Sequence, residues 1–217
     1  MLKADLHIHT SYSPDCATSL QQVIARCKQT EIGCVAVTDH NTILGALKLR
    51  ELAPFTVIVG EEINTRSGEI IGYFLTEEIP AKLPAEETVR RIKEQGGLVC
   101  IPHPFDRLRL SSLRHKTLME LLPDIDIIEV FNSRVLLKRH NLSAWLFAQD
   151  HQLLASVGSD AHTAFEIGDT YVVMPEFNDR DEFLLALAKG VLVRHKAGFW
   201  VHAWSNLARL RKRSKQT

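Results

Sequence analysis

Apolar and polar positions alternate from the start of the chain. In Asp5-Leu6-His7-Ile8-His9-Thr10 the apolar Leu6 and Ile8 fall between polar neighbours. This period of two predicts a strand over residues 3–8 with one apolar face, and it puts His7 and His9 on the same side. Thr18 to Gln21 has the spacing of a capping box and opens a helix to about Glu31, stopped by Gly33. Cys34-Val35-Ala36-Val37-Thr38 is a run of small and apolar residues, the pattern of a strand buried on both faces. A helix over about 43–53, a strand over 56–59 and a strand from Gly68 to Leu75 follow. Pro84 suits the first helical position, and Gly96-Gly97 ends that helix. The pattern then gives strand 98–101, helix 112–122, strand 126–131, helix 138–151, strand 153–157 and strand 171–174. Helix 180–189, strand 191–194 and a last helix from about 200 close it. Strands alternate with helices over short connections, with no internal repeat, which implies a parallel sheet. About seven such βα units favour a small (β/α) barrel, a fold that gathers its chemistry at the C-terminal ends of the strands.

Charge changes this picture only locally. The 26 basic and 26 acidic residues balance, which argues against a nucleic-acid coat. Five of the basic residues, Arg209, Arg211, Lys212, Arg213 and Lys215, lie in a terminal stretch without acids, so the remainder is acidic by five charges. An acidic body with ten histidines suits a cation site better than a polyanion groove. No apolar run approaches the ~20 residues of a membrane span, and the N-terminus lacks the pattern of a signal peptide. Cys16, Cys27, Cys34 and Cys100 form no C-x-x-C pair and read as reduced thiols of a cytoplasmic protein. Cys16 is the exception, because it follows Asp15 in a polar loop; a thiol there could touch a metal, but that role is disfavoured.

Metal-capable side chains track the predicted strand ends. His7 and His9 end the first strand, with Asp15 in its loop; Asp39-His40 end the second and Glu61-Glu62 the third. Glu69 lies on the next strand, His103 follows another between two prolines, and Glu129 leads to Asn132. Gly158-Ser159-Asp160-Ala161-His162 ends the strand over 153–157. Mixed imidazole and carboxylate donors suit zinc, manganese or iron rather than calcium. His115, His140 and His151 fall in helical segments and read as surface or packing residues. His195 and His202 lie near the end of the last βα unit; they could reach a barrel mouth, but they are weaker candidates and that role is disfavoured.

The motifs Asp-Leu-His-Ile-His-Thr (5–10), Thr-Asp-His-Asn (38–41), Gly-Glu-Glu-Ile (60–63), Pro-His-Pro (102–104) and Gly-Ser-Asp-Ala-His (158–162), in this order, resemble the PHP (polymerase and histidinol phosphatase) family. The resemblance implies an α/β fold, a distorted (β/α)7 barrel over 1–206, with 207–217 as a basic tail. It implies two to three divalent transition-metal ions, Mn, Fe or Zn. Carried over position by position, the ligands are His7, His9, Asp15, His40, Glu62, Glu69, His103, Asp160 and His162. Glu62 rather than Glu61 is followed by Ile as the family pattern requires, and it is expected to bridge two ions. Asp15 stands where some members have His. Glu69 stands where many have His, and its extra negative charge favours harder ions such as Mn²⁺ or Fe.

Such a cluster implies a phosphoesterase of small phosphomonoesters or nucleotides, with water activated by the cations. His103 is expected within the catalytic centre. Arg107, Arg109 and above all Arg134 are candidates to clamp the phosphate, because a guanidinium offers a bidentate fork. Asp39 and Glu129 are expected to orient the ligands. Amidohydrolases share His-x-His but normally carry a bridging lysine, and no lysine lies at a suitable strand end here. A nuclease acting on nucleic-acid ends and a non-catalytic metal-binding regulatory domain are the other readings. A nucleic-acid partner is disfavoured by the neutral charge, and no membrane partner is expected.

Overall fold

The computed structural model describes residues 1–196. The helix expected from about 200, His202 and the basic stretch after 206 lie outside them.

The first half runs β1 (Leu2–Ile8), α1 (Leu20–Thr30), β2 (Cys34–Val37), α2 (Leu44–Leu52), β3 (Thr56–Thr65), β4 (Gly68–Tyr73), α3 (Ala85–Glu94) and β5 (Leu98–Ile101). The second runs α4 (His115–Leu121), β6 (Ile127–Asn132), α5 (Lys138–Asp150), β7 (Leu154–Gly158), β8 (Tyr171–Met174), α6 (Arg180–Ala188) and β9 (Val191–Val193). The strands form one sheet in the order β7-β6-β5-β4-β3-β2-β1-β8-β9. It curls into a nearly closed barrel. The end of β7 returns to the end of β1, where His7 O accepts from Asp160 N at 2.8 Å and Ala161 O from His9 N at 2.9 Å.

The sheet is not the uniformly parallel one expected. β1-β2-β3 and β5-β6-β7 are parallel, but β4 is antiparallel to both neighbours, as are β8 to β1 and β9 to β8. The cause at β3-β4 is connection length. Only Arg66 and Ser67 separate the paired Thr65 and Gly68, whereas a parallel crossover needs about a dozen residues. Gly68 takes φ +129°, and an added Cβ would meet the Leu113 backbone at 2.4 Å. β3 also runs to Thr65, well past the expected end, so Glu61 and Glu62 lie within a strand and face opposite sides.

Local chemistry accounts for the other boundaries. The capping box of α1 lies one residue later than expected: the Ser19 hydroxyl accepts from Gln22 N, and the Gln22 side chain accepts from Ser19 N at 2.8 Å. Such a cap is worth about 1 kcal/mol. Pro84 is the N-cap of α3 rather than its first residue. The core lies between the sheet and its helices and inside the barrel. Leu6, Ile8, Ile58, Ile63, Ile70, Ile71 and Ile101 are almost fully buried, each contributing about 1.5–3 kcal/mol. Tyr73 crosses the barrel and donates to Leu6 O at 2.7 Å.

Candidate metal centre

All nine expected ligands converge at the C-terminal ends of β1, β2, β5 and β7 and on the inner face of the β3-β4 hairpin. His7 and His9 follow from the period of β1, and their Nε2 atoms lie 3.2 Å apart. On the hairpin, Asn64 pairs with Glu69 and Glu62 with Ile71, so Glu62 and Glu69 are diagonal neighbours on one face. Three of the loops turn through left-handed backbone at non-glycine residues: Asn41 (φ 56°), His103 (φ 32°) and Asp160 (φ 53°). Such conformations cost of order 1–3 kcal/mol each and concentrate at functional sites.

Glu62 is the hub. Its Oε2 lies 3.2 Å from His40 Nδ1, 3.3 Å from His9 Nε2 and 3.6 Å from His7 Nε2, and its Oε1 lies 3.1 Å from His103 Nε2. Asp160 Oδ1 faces His9 Nε2 at 3.4 Å and His7 Nε2 at 3.6 Å. Asp15 Oδ2 sits between His162 Nε2 at 3.3 Å and His40 Nε2 at 3.4 Å. Three groups of donor atoms fall within 4.8 Å of one another: His9-Asp15-His40-His162, His7-His9-Glu62 and His40-Glu62-Glu69.

These side chains fit cations better than they fit each other. His40 Nδ1, Glu62 Oε2, Glu69 Oε2 and Asp160 Oδ1 are buried without a hydrogen-bond partner, although such atoms normally have one. The electrostatics carry the same conflict. Burial and the neighbouring charge of Glu62 raise the Glu69 carboxyl above its ordinary range. Burial opposes a charge on His9, but hydrogen bonds to Asp160 and Glu62 prevail and lift it to about 10. Burial and the charge of His9 push His162 down to about 4.

A surrounding layer holds the ligands in place. Glu129 Oε1 lies 2.9 Å from His7 Nδ1, and its Oε2 accepts from His103 N at 2.8 Å and Asn132 Nδ2 at 3.0 Å. Residues three apart face opposite ways in a regular strand. A register shift between Glu129 and Phe131 lets Glu129 and Asn132 meet. Asp39 accepts from Thr10 N and Thr10 Oγ1, both at 2.6 Å, and so fixes the turn after His9. Arg134 is buried, with Nη1 3.3 Å from Asp160 O and Nε 3.7 Å from Glu166 Oε1. Arg109 is more open, with its side chain 23% exposed. It donates to Asp160 Oδ2 at 2.7 Å and to His103 Nε2 at 3.0 Å.

The remaining candidates fall outside the donor cluster. Cys16 is fully buried, and its thiol donates to His162 O at 3.1 Å and His9 O at 3.4 Å instead of facing the donor cluster. His140 is a packing residue, buried against Asp106 Oδ1 at 3.2 Å. His195 is exposed, with its ring against Asp169 O, apart from the cluster. Sequence reasoning passed over Ser13, whose hydroxyl meets Asp15 Oδ1 at 3.0 Å, and the Glu166 cap that accepts from His162 N and Thr163 N. The Thr163-x-x-Glu166 spacing was a readable signal for that cap.

Comparison with known proteins agrees with this geometry. A family model described as the PHP domain matches residues 5–193. An uncharacterized protein of Methanocaldococcus jannaschii is 39% identical over 181 residues, covering 82% of this chain and 72% of that protein. Among solved structures, a Bacteroides vulgatus two-domain protein containing a predicted PHP-like metal-dependent phosphoesterase is similar, with TM-score 0.73 and 19% identity. The match covers 89% of this chain and 65% of that protein, just under two thirds of its length. PsfC from Pseudomonas syringae is similar with TM-score 0.66 and 15% identity, over 99% of this chain and 98% of that one. Likeness at these identities shows the fold. No helix among the described residues is long and apolar enough to cross a membrane.

Proposed function

The chain belongs to the PHP domain family, and on that premise we propose that it is a metal-dependent phosphoric ester hydrolase acting on a small phosphomonoester. The observation that carries the reading is the convergence of nine ligand-capable side chains, with four buried donor atoms that no protein group satisfies. His7, His9, Asp15, His40, Glu62, Glu69, His103, Asp160 and His162 would hold two to three divalent ions, Mn, Fe or Zn. Bound there, the ions would bring the pKa of water from ~15.7 toward ~7 and take up charge on the phosphoryl oxygens.

The chain's own residues divide the remaining work. Glu62 belongs to two of the three donor groups, and a carboxylate can serve two cations where an imidazole nitrogen serves one. Glu129 orients His7 through Nδ1, which frees Nε2 for the cluster. Arg109 is the phosphate clamp: it reaches the cluster from a loop and keeps solvent exposure. Arg134 is enclosed and tied to Asp160 O and Glu166, so its role is to position the strand end that carries Asp160 and His162. Asp39 positions the turn after His9 and touches no donor atom of the cluster.

The test is a substrate panel on protein loaded with Mn²⁺, Fe²⁺ or Zn²⁺. Release of inorganic phosphate from small monoesters is expected. Hydrolysis confined to oligonucleotide ends would replace this reading with a nuclease. Absence of hydrolysis from every ester would contradict it.

A further inference from the structure

Gly45 stands in the first turn of α2, on the buried face of the helix with Ala46 and Leu49. Glycine weakens a helix relative to alanine, so its presence there needs a cause. Backbone conformation is not the cause, because Gly45 is not among the glycines with positive φ, which are Gly68, Gly96 and Gly168. The cause is space. A Cβ added at Gly45 would lie 2.1 Å from Asp39 Oδ2, 2.6 Å from Thr10 Oγ1 and 3.2 Å from Tyr12 Cβ. The first two atoms are bonded to each other, since Thr10 Oγ1 donates to Asp39 Oδ2 at 2.6 Å. Ordinary contact begins at 3.4 Å, so a methyl group would displace the carboxylate by about 1 Å. Asp39 and Thr10 are both fully buried, so neither can yield into solvent.

Asp39 is tied to several of the expected ligands. Its carboxylate holds Thr10, the residue after His9, through both N and Oγ1. Its carbonyl accepts from Glu62 N at 3.2 Å, and His40 follows it in the chain. His40 N donates to Ser13 Oγ at 3.3 Å, and that hydroxyl reaches Asp15 Oδ1 at 3.0 Å. The loop over 10–18 and the end of β2 are thus one hydrogen-bonded unit, and the first turn of α2 packs on it at Asp39. A displaced Asp39 carries the shift to His9 and His40, whose ring centroids lie 4.7 Å apart.

We propose that Gly45 is a positioning residue of the metal centre. Lacking a side chain, it lets the first turn of α2 close on Asp39 and Thr10, and that contact sets where His9 and His40 present their nitrogens. The assignment rests on the metal-dependent reading of the site. Gly45 has no side chain to offer a cation or a substrate, so its effect runs through Asp39. Alanine at this position favours the helix and disturbs the ligands, which sets helix propensity against metal binding.

Dissociation constants for Mn²⁺ and Zn²⁺, measured by competition with a chromophoric chelator, test this on the parent, Gly45→Ala, Asp39→Ala and the double variant. Gly33→Ala is the control, because a Cβ there meets Leu2 Cβ at an ordinary 3.4 Å. Gly45→Ala and Asp39→Ala should each weaken binding ~10-fold or more, as expected when groups that orient metal ligands are disturbed. The double variant should bind within about twofold of Asp39→Ala alone, because both substitutions act at one contact. Gly33→Ala should match the parent within about twofold. Binding by Gly45→Ala as tight as that of the parent overturns the proposal. Losses that multiply in the double variant also overturn it, since they mark an independent packing role. If Gly45→Ala does not fold, folding of the double variant supports the proposal and failure of both overturns it. The metal-dependent reading fails differently, when the parent itself binds no ion. Hydrogen exchange of the Thr10 amide in metal-free protein then decides. Exchange at least ~10-fold faster in Gly45→Ala than in the parent and Gly33→Ala supports the proposal, and an unchanged rate overturns it.

Discussion

Two adjacent glutamates on β3 offer an internal control, because consecutive residues of a strand face opposite sides. Glu62 faces the donor cluster and lies within 3.6 Å of four imidazoles. Glu61 faces away, and its Oε2 accepts from Ile79 N at 2.9 Å. Glu62→Gln keeps the volume and removes one negative charge. A unit charge ~4 Å from a cation at an effective dielectric of ~20 is worth about 4 kcal/mol, or about 10³-fold in affinity. With part of that recovered by the amide oxygen, ion content should fall by at least one per chain and turnover by at least ~10²-fold. Glu61→Gln should do neither. Burial pushes the Glu61 carboxyl up to about 8, so at neutral pH it is mostly a neutral acid, which glutamine imitates. The amide oxygen can still accept from Ile79, so stability should change by less than about 1 kcal/mol. The assay pairs phosphate release with elemental analysis and thermal denaturation. A larger loss of metal and turnover in Glu61→Gln than in Glu62→Gln would refute the reasoning.

Three further outcomes follow from the geometry. Arg109→Ala should raise KM for a phosphomonoester by ~10-fold or more, with partial recovery in Arg109→Lys. Arg134→Ala should chiefly lower Tm, because it leaves Glu166 buried without its cation; equal KM effects would reverse these roles. Burial raises all four thiols, Cys16 and Cys27 to about 12, so native protein at pH 8 should resist alkylation that goes to completion after unfolding. Rapid labelling of native Cys16 would place its thiol elsewhere. Deleting 209–217 should leave hydrolysis of a small monoester unchanged within about twofold, as measured by phosphate release.

The donor set was legible in the sequence because its chemistry is local. Imidazoles and carboxylates stand at strand ends, and the spacing of two in His7-x-His9 and Asp160-x-His162 already puts each pair on one side. The path of the sheet was less legible. The βα alternation suggests parallel pairing throughout, yet the two-residue turn at Arg66-Ser67 forces an antiparallel hairpin, and that hairpin is what brings Glu69 diagonally beside Glu62. The alternative caps Thr18 and Ser19 differ by one residue and offer nearly the same chemistry, so only packing chooses between them. Arg109 and Arg134 are equivalent by residue type, and their difference in burial comes from the tertiary fold. The Asp106–His140 contact joins residues 34 apart and leaves no periodic trace.

The central claim is that the nine convergent side chains form a working metal cluster. Stripped protein titrated with Mn²⁺, Fe²⁺ or Zn²⁺, with bound ions and phosphate release followed together, tests it most directly. The account predicts negligible activity without metal and hydrolysis that rises with occupancy to a plateau at two to three ions per chain. Binding of less than one ion per chain, with no activation by any of the three metals, would contradict it.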